Sequence, residues 1–450
     1  MRPNLLMIRD FEPWTPAALA AIIALAPLPF GSVGVLASLL LFLALGIVGT
    51  WTHWRARSHG LRTPPLVIGL ALIALLGLLQ SSRGLRLELA EGASVFWAFG
   101  SVAPTASRSA SVFWLCCAAT VSTAAVLGTR TKARRIFFVG LVAAGLFQAI
   151  YGGQRFSANA TQIWGREIAG DVGRLRGTFV NPDHLAFFLG LILPLLLASV
   201  WWRWRRRDSG DGLQWSLPFL VLAWVTLFIA LALTGSRAGL LTALGVVGLQ
   251  SLVVAALEKQ WRAGLLVAGL AGLALSSLWW LSLEGQALGR LLGTSRFELQ
   301  WSQRRAAYEA ALELWSAAPL FGAGLGGFRQ AFPLVQPAGL SGEWWHAHSD
   351  VLELAVTTGL LGVFILAVAG GLYCLRLLGA LRSERSETRA AALAVLGSTV
   401  AACVHSLADF SLTLPANAVA FAVILGCGCA IGRGPGVFRE TVSEESPVPG

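Results

Sequence analysis

The stretch from Trp215 to Leu257 reads WSLPFLVLAWVTLFIALALTGSRAGLLTALGVVGLQSLVVAAL. Two apolar runs, near 215–233 and 238–257, are separated only by Thr234-Gly235-Ser236-Arg237. Each is long enough to cross a hydrocarbon core about 30 Å thick as a helix, for which roughly 20 residues suffice. The pair therefore reads as a membrane hairpin. A charge in so short a connection lies near hydrocarbon depth, where it costs about 2.5–3.5 kcal/mol on insertion scales. Arg237 is on that ground a functional candidate, against the plainer reading of an arginine snorkelling to the interface.

Working outward, the same pattern recurs along all 450 residues, and the composition explains why. The chain is 56% hydrophobic and 13% charged, with a mean hydropathy of +0.68. Soluble domains carry about a quarter charged residues. The fold class is an all-α integral membrane protein, with spans predicted near 14–30, 32–51, 64–82, 111–128, 135–153, 183–202, 215–233, 238–257, 263–281, 350–375, 390–409 and 412–431. Pro27 and Pro29 interrupt the first of these twelve. No compact apolar core followed by a small-residue cleavage site opens the sequence, so the first span is expected to insert directly. The expected division is an N-terminal transmembrane bundle over 1–281, a large structured loop over 282–349, C-terminal transmembrane helices over 350–431 and a disordered polar tail over 432–450.

Lys and Arg in short connections set orientation. With both termini cytoplasmic, 21 of the 34 basic residues fall on the cytoplasmic face, so the long connections 83–110, 154–182 and 282–349 are expected on the opposite, outer face. The same basic face beside anionic lipid accounts for the net charge of +11 without nucleic acid. All six cysteines lie inside or at the end of apolar runs without metal-ligand spacing and read as packing residues.

Within the largest loop, SQRRAAYEAALELWSAAP repeats Ala307, Tyr308, Ala311, Leu312 and Trp315 at helical spacing. Arg305, Glu309 and Glu313 form an i, i+4 ladder. This is expected to be an amphipathic helix on the outer membrane surface, with Arg304 bordering the stripe of Tyr308 and Trp315. Downstream, EWWHAHSDVLELAVTTGLLG, from Glu343 to Gly362, places two histidines directly before an apolar run in a chain with six. Asp350 and Glu353 have the spacing of a capping box. His348, at the membrane boundary, suits either an interfacial polar role or proton acceptance from an incoming hydroxyl, since its ordinary pKa lies near ambient pH. His346 is its rival. Trp344 and Trp345 read as belt residues or as stacking surfaces for sugar rings.

The remaining candidates fall on the same side. GRLRGTFVNPDHLAFFLG supplies Arg174 and Arg176, then Asn181 and Asp183 as capping residues and His184 in the first helical turn. HSLADF pairs His405 with Asp409 at i, i+4, read first as a packing pair. LFGAGLGGF lacks the GK[ST] of a phosphate-binding loop and carries no nucleotide site. Glu88-x-x-Glu91 is too weak a carboxylate pair to read as a metal site. One topology brings Arg174, Arg176, Arg237, Arg304 and His348 to one side. Guanidinium forks suit a diphosphate and an imidazole suits base work, which together describe hydroxyl attack on a phosphate-activated group.

At these residues the chain resembles the O-antigen ligase and O-antigen polymerase superfamily of bacterial membrane glycosyltransferases. The resemblance runs from about Arg174 to Gly426, with a weaker likeness at APLPFGSVG. RGTFVNPDHLAFFL resembles the family's Arg-Gly-Thr-Phe-x-Asn-Pro motif. Arg237 with Gly248, and His348 with Gly359, resemble its Arg-x10-Gly and His-x10-Gly patterns. RRAAYEAALELWSAAPLFGAGLGGF resembles its large-loop segment, with Tyr308 where Trp is common, and HSLADFSLTLPANA a pattern near the last spans.

The resemblance implies a GT-C-like fold that takes a glycan from undecaprenyl diphosphate at the periplasmic face and transfers it, with inversion and without cofactor or metal, to an acceptor hydroxyl. His348 would be the base; Arg237 and Arg304, with Arg176 and Arg174 less closely matched, would bind the diphosphate. Trp344, Trp345, His346 and Tyr308 are candidate glycan or acceptor contacts. The acceptor stays open between lipid A-core and a growing polysaccharide, and the partners expected beyond membrane lipids are polysaccharide export or chain-length proteins. The alternative, a transporter or flippase for lipid-linked oligosaccharide, calls for inverted repeats or a central polar path. The sequence displays neither.

Overall fold

A computed structural model describes residues 14–57, 62–87, 97–168, 173–206, 216–259 and 294–431, with Gly269 and Gly272 in isolation and without the side chains of 294–300. The predicted span 263–281, the Glu88/Glu91 pair and the tail lie outside these residues. The described helices are α1 (Trp14–Leu25), α2 (Val35–Ala56), α3 (Pro65–Gln80), α4 (Pro104–Leu127), α5 (Thr131–Ser157), α6 (Pro182–Arg205), α7 (Ser216–Leu233), α8 (Arg237–Glu258), α9 (Thr294–Ala317), α10 (Phe328–Ala331), α11 (Asp350–Ala380), α12 (Ser386–His405) and α13 (Pro415–Ala430). One small hairpin, β1 (Gln162–Ile163) with β2 (Arg166–Glu167), projects between α5 and α6.

Eight described helices are long and apolar enough to cross a membrane: α2, α4, α5, α6, α7, α8, α11 and α12. Three more of the twelve predicted spans are present as shorter apolar helices. α1, α3 and α13 have 12, 16 and 16 residues. α1 stops at Leu25 because Pro27 and Pro29 cannot continue it, and the chain turns through a 3-10 helix at Phe30–Ser32. The 3-10 turn Ser411–Thr413 delays α13 to Pro415.

α6 is apolar on every side and buried on every side, the expected pairing for a central helix. It packs against α7, α8 and α12. Gly239 lets α8 approach closely, since a Cβ there would sit 2.8 Å from that of Ala186. Pro194 interrupts the α6 ladder, and polar side chains bind the backbone around it: Gln250 donates to Pro194 O and Leu393 O, and Ser398 donates to Leu191 O at 2.7 Å.

The glycine-rich LFGAGLGGF segment has a packing task. α11 is broken at Gly359, whose φ of 64° is left-handed, and the segment lies along the break. Leu360 N and Leu361 N donate to Pro319 O and Leu320 O, while Ala323 N and Gly324 N donate to Val356 O and Thr357 O. Gln80 at the end of α3 closes the crossing by donating to Phe321 O and accepting from Leu325 N. Backbone this close leaves no space for side chains: a Cβ on Gly322, itself at φ 75°, would meet Thr357 C at 2.5 Å. Gly322→Ala is therefore expected to cost about 1–3 kcal/mol through overpacking, read as a lower unfolding temperature of the purified protein.

The amphipathic helix forms as α9, but its buried stripe is Ala307, Ala310, Ala311 and Leu314, packed on Phe328, Phe332 and Val356. Leu312, predicted in that stripe, is exposed. α9 thus turns its small residues inward, onto the α11 side of the molecule, and this sets where Arg304 and Tyr308 reach.

Candidate functional site

The segments before α6, between α7 and α8, from α9 to α11, and between α12 and α13 meet at one end of the bundle. Short polar contacts order the last two. Ser349 caps α11 by accepting from Leu352 N, one residue earlier than the predicted Asp350. Asp350 is thereby released to accept from Ser406 Oγ at 2.7 Å and from Leu412 N at 3.2 Å. Asp350 N donates to Asp409 O, and Ser349 Oγ to Ser406 O. Glu353 turns back in the manner of a capping box and accepts from Ala347 N at 3.0 Å and bonds His346 Nδ1 at 3.0 Å.

These contacts fix His348 in an uncommon backbone conformation. Its φ is 53°, left-handed for a residue with a Cβ, and Tyr308 Oη donates to its carbonyl at 2.9 Å. The ring stands edge-on to Trp344 (5.3 Å between centroids) and to Phe410 (5.0 Å). Its Nδ1 is buried and takes no hydrogen bond among the described residues. Burial foremost, then the Arg304 charge, pushes the His348 pKa down to about 4, while Asp409 and Asp183 pull the other way. The imidazole is neutral at neutral pH. Arg304 lies one turn before Tyr308 on α9 and donates to Ala408 O at 3.1 Å. From one helix face, Tyr308 thus reaches the His348 carbonyl and Arg304 reaches the turn that carries Phe410.

Phe410 stacks on His346 (4.4 Å, 16°) and stands edge-on to His184 at 4.8 Å. Beside it, Asp409 Oδ2 faces His405 Nε2 at 3.8 Å and His184 Nε2 at 3.9 Å, and accepts from Ser411. The predicted His405/Asp409 pair is present; His184 joins it from the far side. Burial alone would raise the Asp409 pKa, but the two imidazoles and Ser411 hold it below the usual carboxylate range.

Arg174 ties two loops together, donating from Nε to Thr234 O at 2.6 Å and from Nη2 to Asp183 Oδ1 at 2.8 Å. Asn181 caps α6 as predicted, and Asp183 pairs with Arg174 rather than capping. Arg237 opens α8 immediately after the segment that Arg174 holds, with Ser236 as the cap. Arg176 is buried and, with Arg174, Arg155 and Asn159, lines a small polar cavity under the β1–β2 hairpin. The two tryptophans separate: Trp344 turns toward His348, and Trp345 faces outward under Arg329, whose guanidinium lies 3.7 Å from the ring centre.

His348, Arg304, Tyr308, Trp344 and His346 therefore share one cluster, with Arg174 and Asp183 at its edge. Arg237 begins α8 beside the turn that Arg174 holds, Arg176 shares a small cavity with Arg174, and Trp345 faces outward. Sequence reasoning missed Phe410, which touches three of the six histidines. Its only signal was its place beside Asp409.

Residues 222–367 match a family model described as O-antigen ligase (Wzy_C). The matched stretch contains Arg237, Arg304, Tyr308 and His348, but neither Arg174 nor the 405–412 turn. No curated protein matches the chain significantly. A matched domain carrying these residues, on a scaffold of long apolar helices, supports the O-antigen ligase and polymerase superfamily.

Proposed function

We propose that the chain transfers a glycan from an undecaprenyl-diphosphate carrier to an acceptor hydroxyl at the periplasmic face of the inner membrane, within a GT-C-like bundle with both termini cytoplasmic. The observation that carries this reading is the neutral, half-buried His348 imidazole, held down in pKa by burial and by the charge of Arg304. The acceptor oxygen forms a bond to C1 of the glycan's first sugar as the bond from C1 to the diphosphate oxygen breaks, with inversion. His348 takes the hydroxyl proton. The diphosphate leaves with the electron pair, held by Arg304 and Arg237, whose forked donors match phosphate oxygens. Arg237 also sits at the positive end of α8, a corner suited to an anion.

The low pKa of His348 belongs to the empty site. A bound diphosphate offsets the Arg304 charge and raises the imidazole toward ambient pH, where a base works best. Because kcat/KM reports free-enzyme groups, its acid limb is expected well below the ordinary histidine value of 6.5, near about 4. Arg304→Gln removes a charge that lowers this pKa, so the limb should move upward while transfer falls roughly 10- to 100-fold through loss of one charged hydrogen-bond partner. A limb that stays in place separates Arg304 from His348.

Guanidinium groups supply the positive charge in this scheme, so activity in liposomes is expected to persist in excess chelator; loss restored by magnesium would replace the metal-free step. Product analysis of those liposomes with lipid A-core, and separately with a second lipid-linked repeat, distinguishes ligase from polymerase. No transfer to either acceptor would remove the reading.

A further inference from the structure

At the opposite end of the bundle, α5, α6, α12 and α13 diverge around a cavity of about 180 Å³. His184 to Trp202 spans 18 residues of α6, which at the helical rise places the cavity wall about 27 Å from the His348 cluster. α12 likewise runs from Glu387 at the cavity to His405 at the site. None of the lining residues falls within the matched stretch 222–367.

The wall is hydrocarbon, with Phe137, Leu141, Ala198, Ala394 and Val423 among its members. Ser199 also lines it, but its hydroxyl already donates to Leu195 O at 2.7 Å. An apolar cavity of about 150 Å³ stays dry and binds a small hydrocarbon. This one is larger and has a charged rim. Thr131, Arg134 and Arg135 stand there on α5, opposite Glu387 of α12. Arg134 is anchored upright by bonds to Gly128 O at 2.5 Å and Thr131 Oγ1 at 3.0 Å. Arg135 lies 3.5 Å from Glu387, a solvent-exposed pair of the kind that contributes little and exchanges partners readily. Two guanidiniums against one carboxylate leave the rim positive.

We propose that this cavity is a lipid site, holding the headgroup-proximal part of one acyl chain of an anionic phospholipid with its phosphate against Arg134 and Arg135. The apolar wall accounts for the chain and the rim for the sign of the headgroup. A free phosphate would have no use for the wall, and a zwitterionic lipid gains less from the rim.

The full-length protein is reconstituted with phosphatidylglycerol or phosphatidylcholine carrying the same photoreactive acyl chain, and crosslinked peptides are mapped by mass spectrometry. The glycerol lipid is expected to label 131–141 and 387–395 several-fold more than the choline lipid. Ala394→Phe, which fills the cavity, should suppress this labelling while leaving that of the exposed α2 residues Leu39, Leu40 and Leu43 unchanged. The surface variant Arg134→Gln/Arg135→Gln should abolish the preference and keep the chain. Equal labelling by both lipids, a preference that survives the double variant, or indifference to Ala394→Phe would each overturn the proposal. So would displacement by undecaprenyl phosphate at equal concentration, which would assign the cavity to a polyprenyl chain. Glycan transfer is not part of the readout, so the outcome is independent of the reaction proposed above.

Discussion

His348→Ala is expected to lower glycan transfer in reconstituted liposomes by about 10²–10⁴-fold, the span that a positioned general base contributes, while membrane insertion and thermal stability stay close to the parent protein. The side chain supports little of the surrounding fold. Tyr308 grips the backbone carbonyl of His348, not its ring, and Ser349 caps α11 on its own. The variant even removes a buried nitrogen that has no hydrogen-bond partner among the described residues. What it takes away is a neutral proton acceptor between Trp344 and Phe410. Steady-state rates with a defined carrier-linked glycan, alongside an unfolding temperature, measure both halves of the expectation. A variant that turns over at the parent rate removes His348 from the chemistry; one that fails to fold shows that Trp344 and Phe410 need the ring as packing.

His346→Ala provides the internal comparison. That ring stacks on Phe410 and bonds Glu353, whose carboxylate also holds Ala347 N. The change is thus a loss of packing and of a partner for Glu353, and its effect should fall on stability more than on rate.

Much of the site was legible because its chemistry is local. Arg304 and Tyr308 share a helix face at i, i+4 spacing, and α9 carries both toward the segment around His348. Spacing could not show which face of α9 is inward. Leu312 reads as core by periodicity, yet the tight approach of α9 to its neighbours favours Ala307, Ala310 and Ala311. The glycines of LFGAGLGGF read as a loop, and their task exists only where that segment meets the break at Gly359, more than thirty residues away in sequence. His184 and Asp409 are 225 positions apart, so no periodicity links them, and Phe410 acquires meaning only once three imidazoles close around it. Eight of the predicted spans are borne out as long apolar helices; α1, α3 and α13 are shortened by prolines and turns that hydropathy windows average over.

Arg237→Lys tests the other half of the reaction. The charge is retained, so insertion and topology should be unaffected, and any loss reports the fork. Removing one preorganised donor to developing negative charge costs about 10²–10³ in kcat, and a lysine at the start of α8 replaces two parallel N–H donors with a point charge on a flexible stem. The expected signature is a fall in kcat of that order with KM changed less, because the diphosphate gains negative charge as the glycosidic bond breaks and the fork matters most then. The position of Arg237 sharpens the expectation. A cation at a helix N-terminus is disfavoured by the helix dipole, and Arg174 already bonds the adjoining Thr234 carbonyl, so this turn is stabilised without it. A lysine variant that keeps full kcat would remove Arg237 from diphosphate stabilisation and leave that task to Arg304. One that raises KM alone would place Arg237 in substrate binding, with its contacts equally strong before and during bond cleavage.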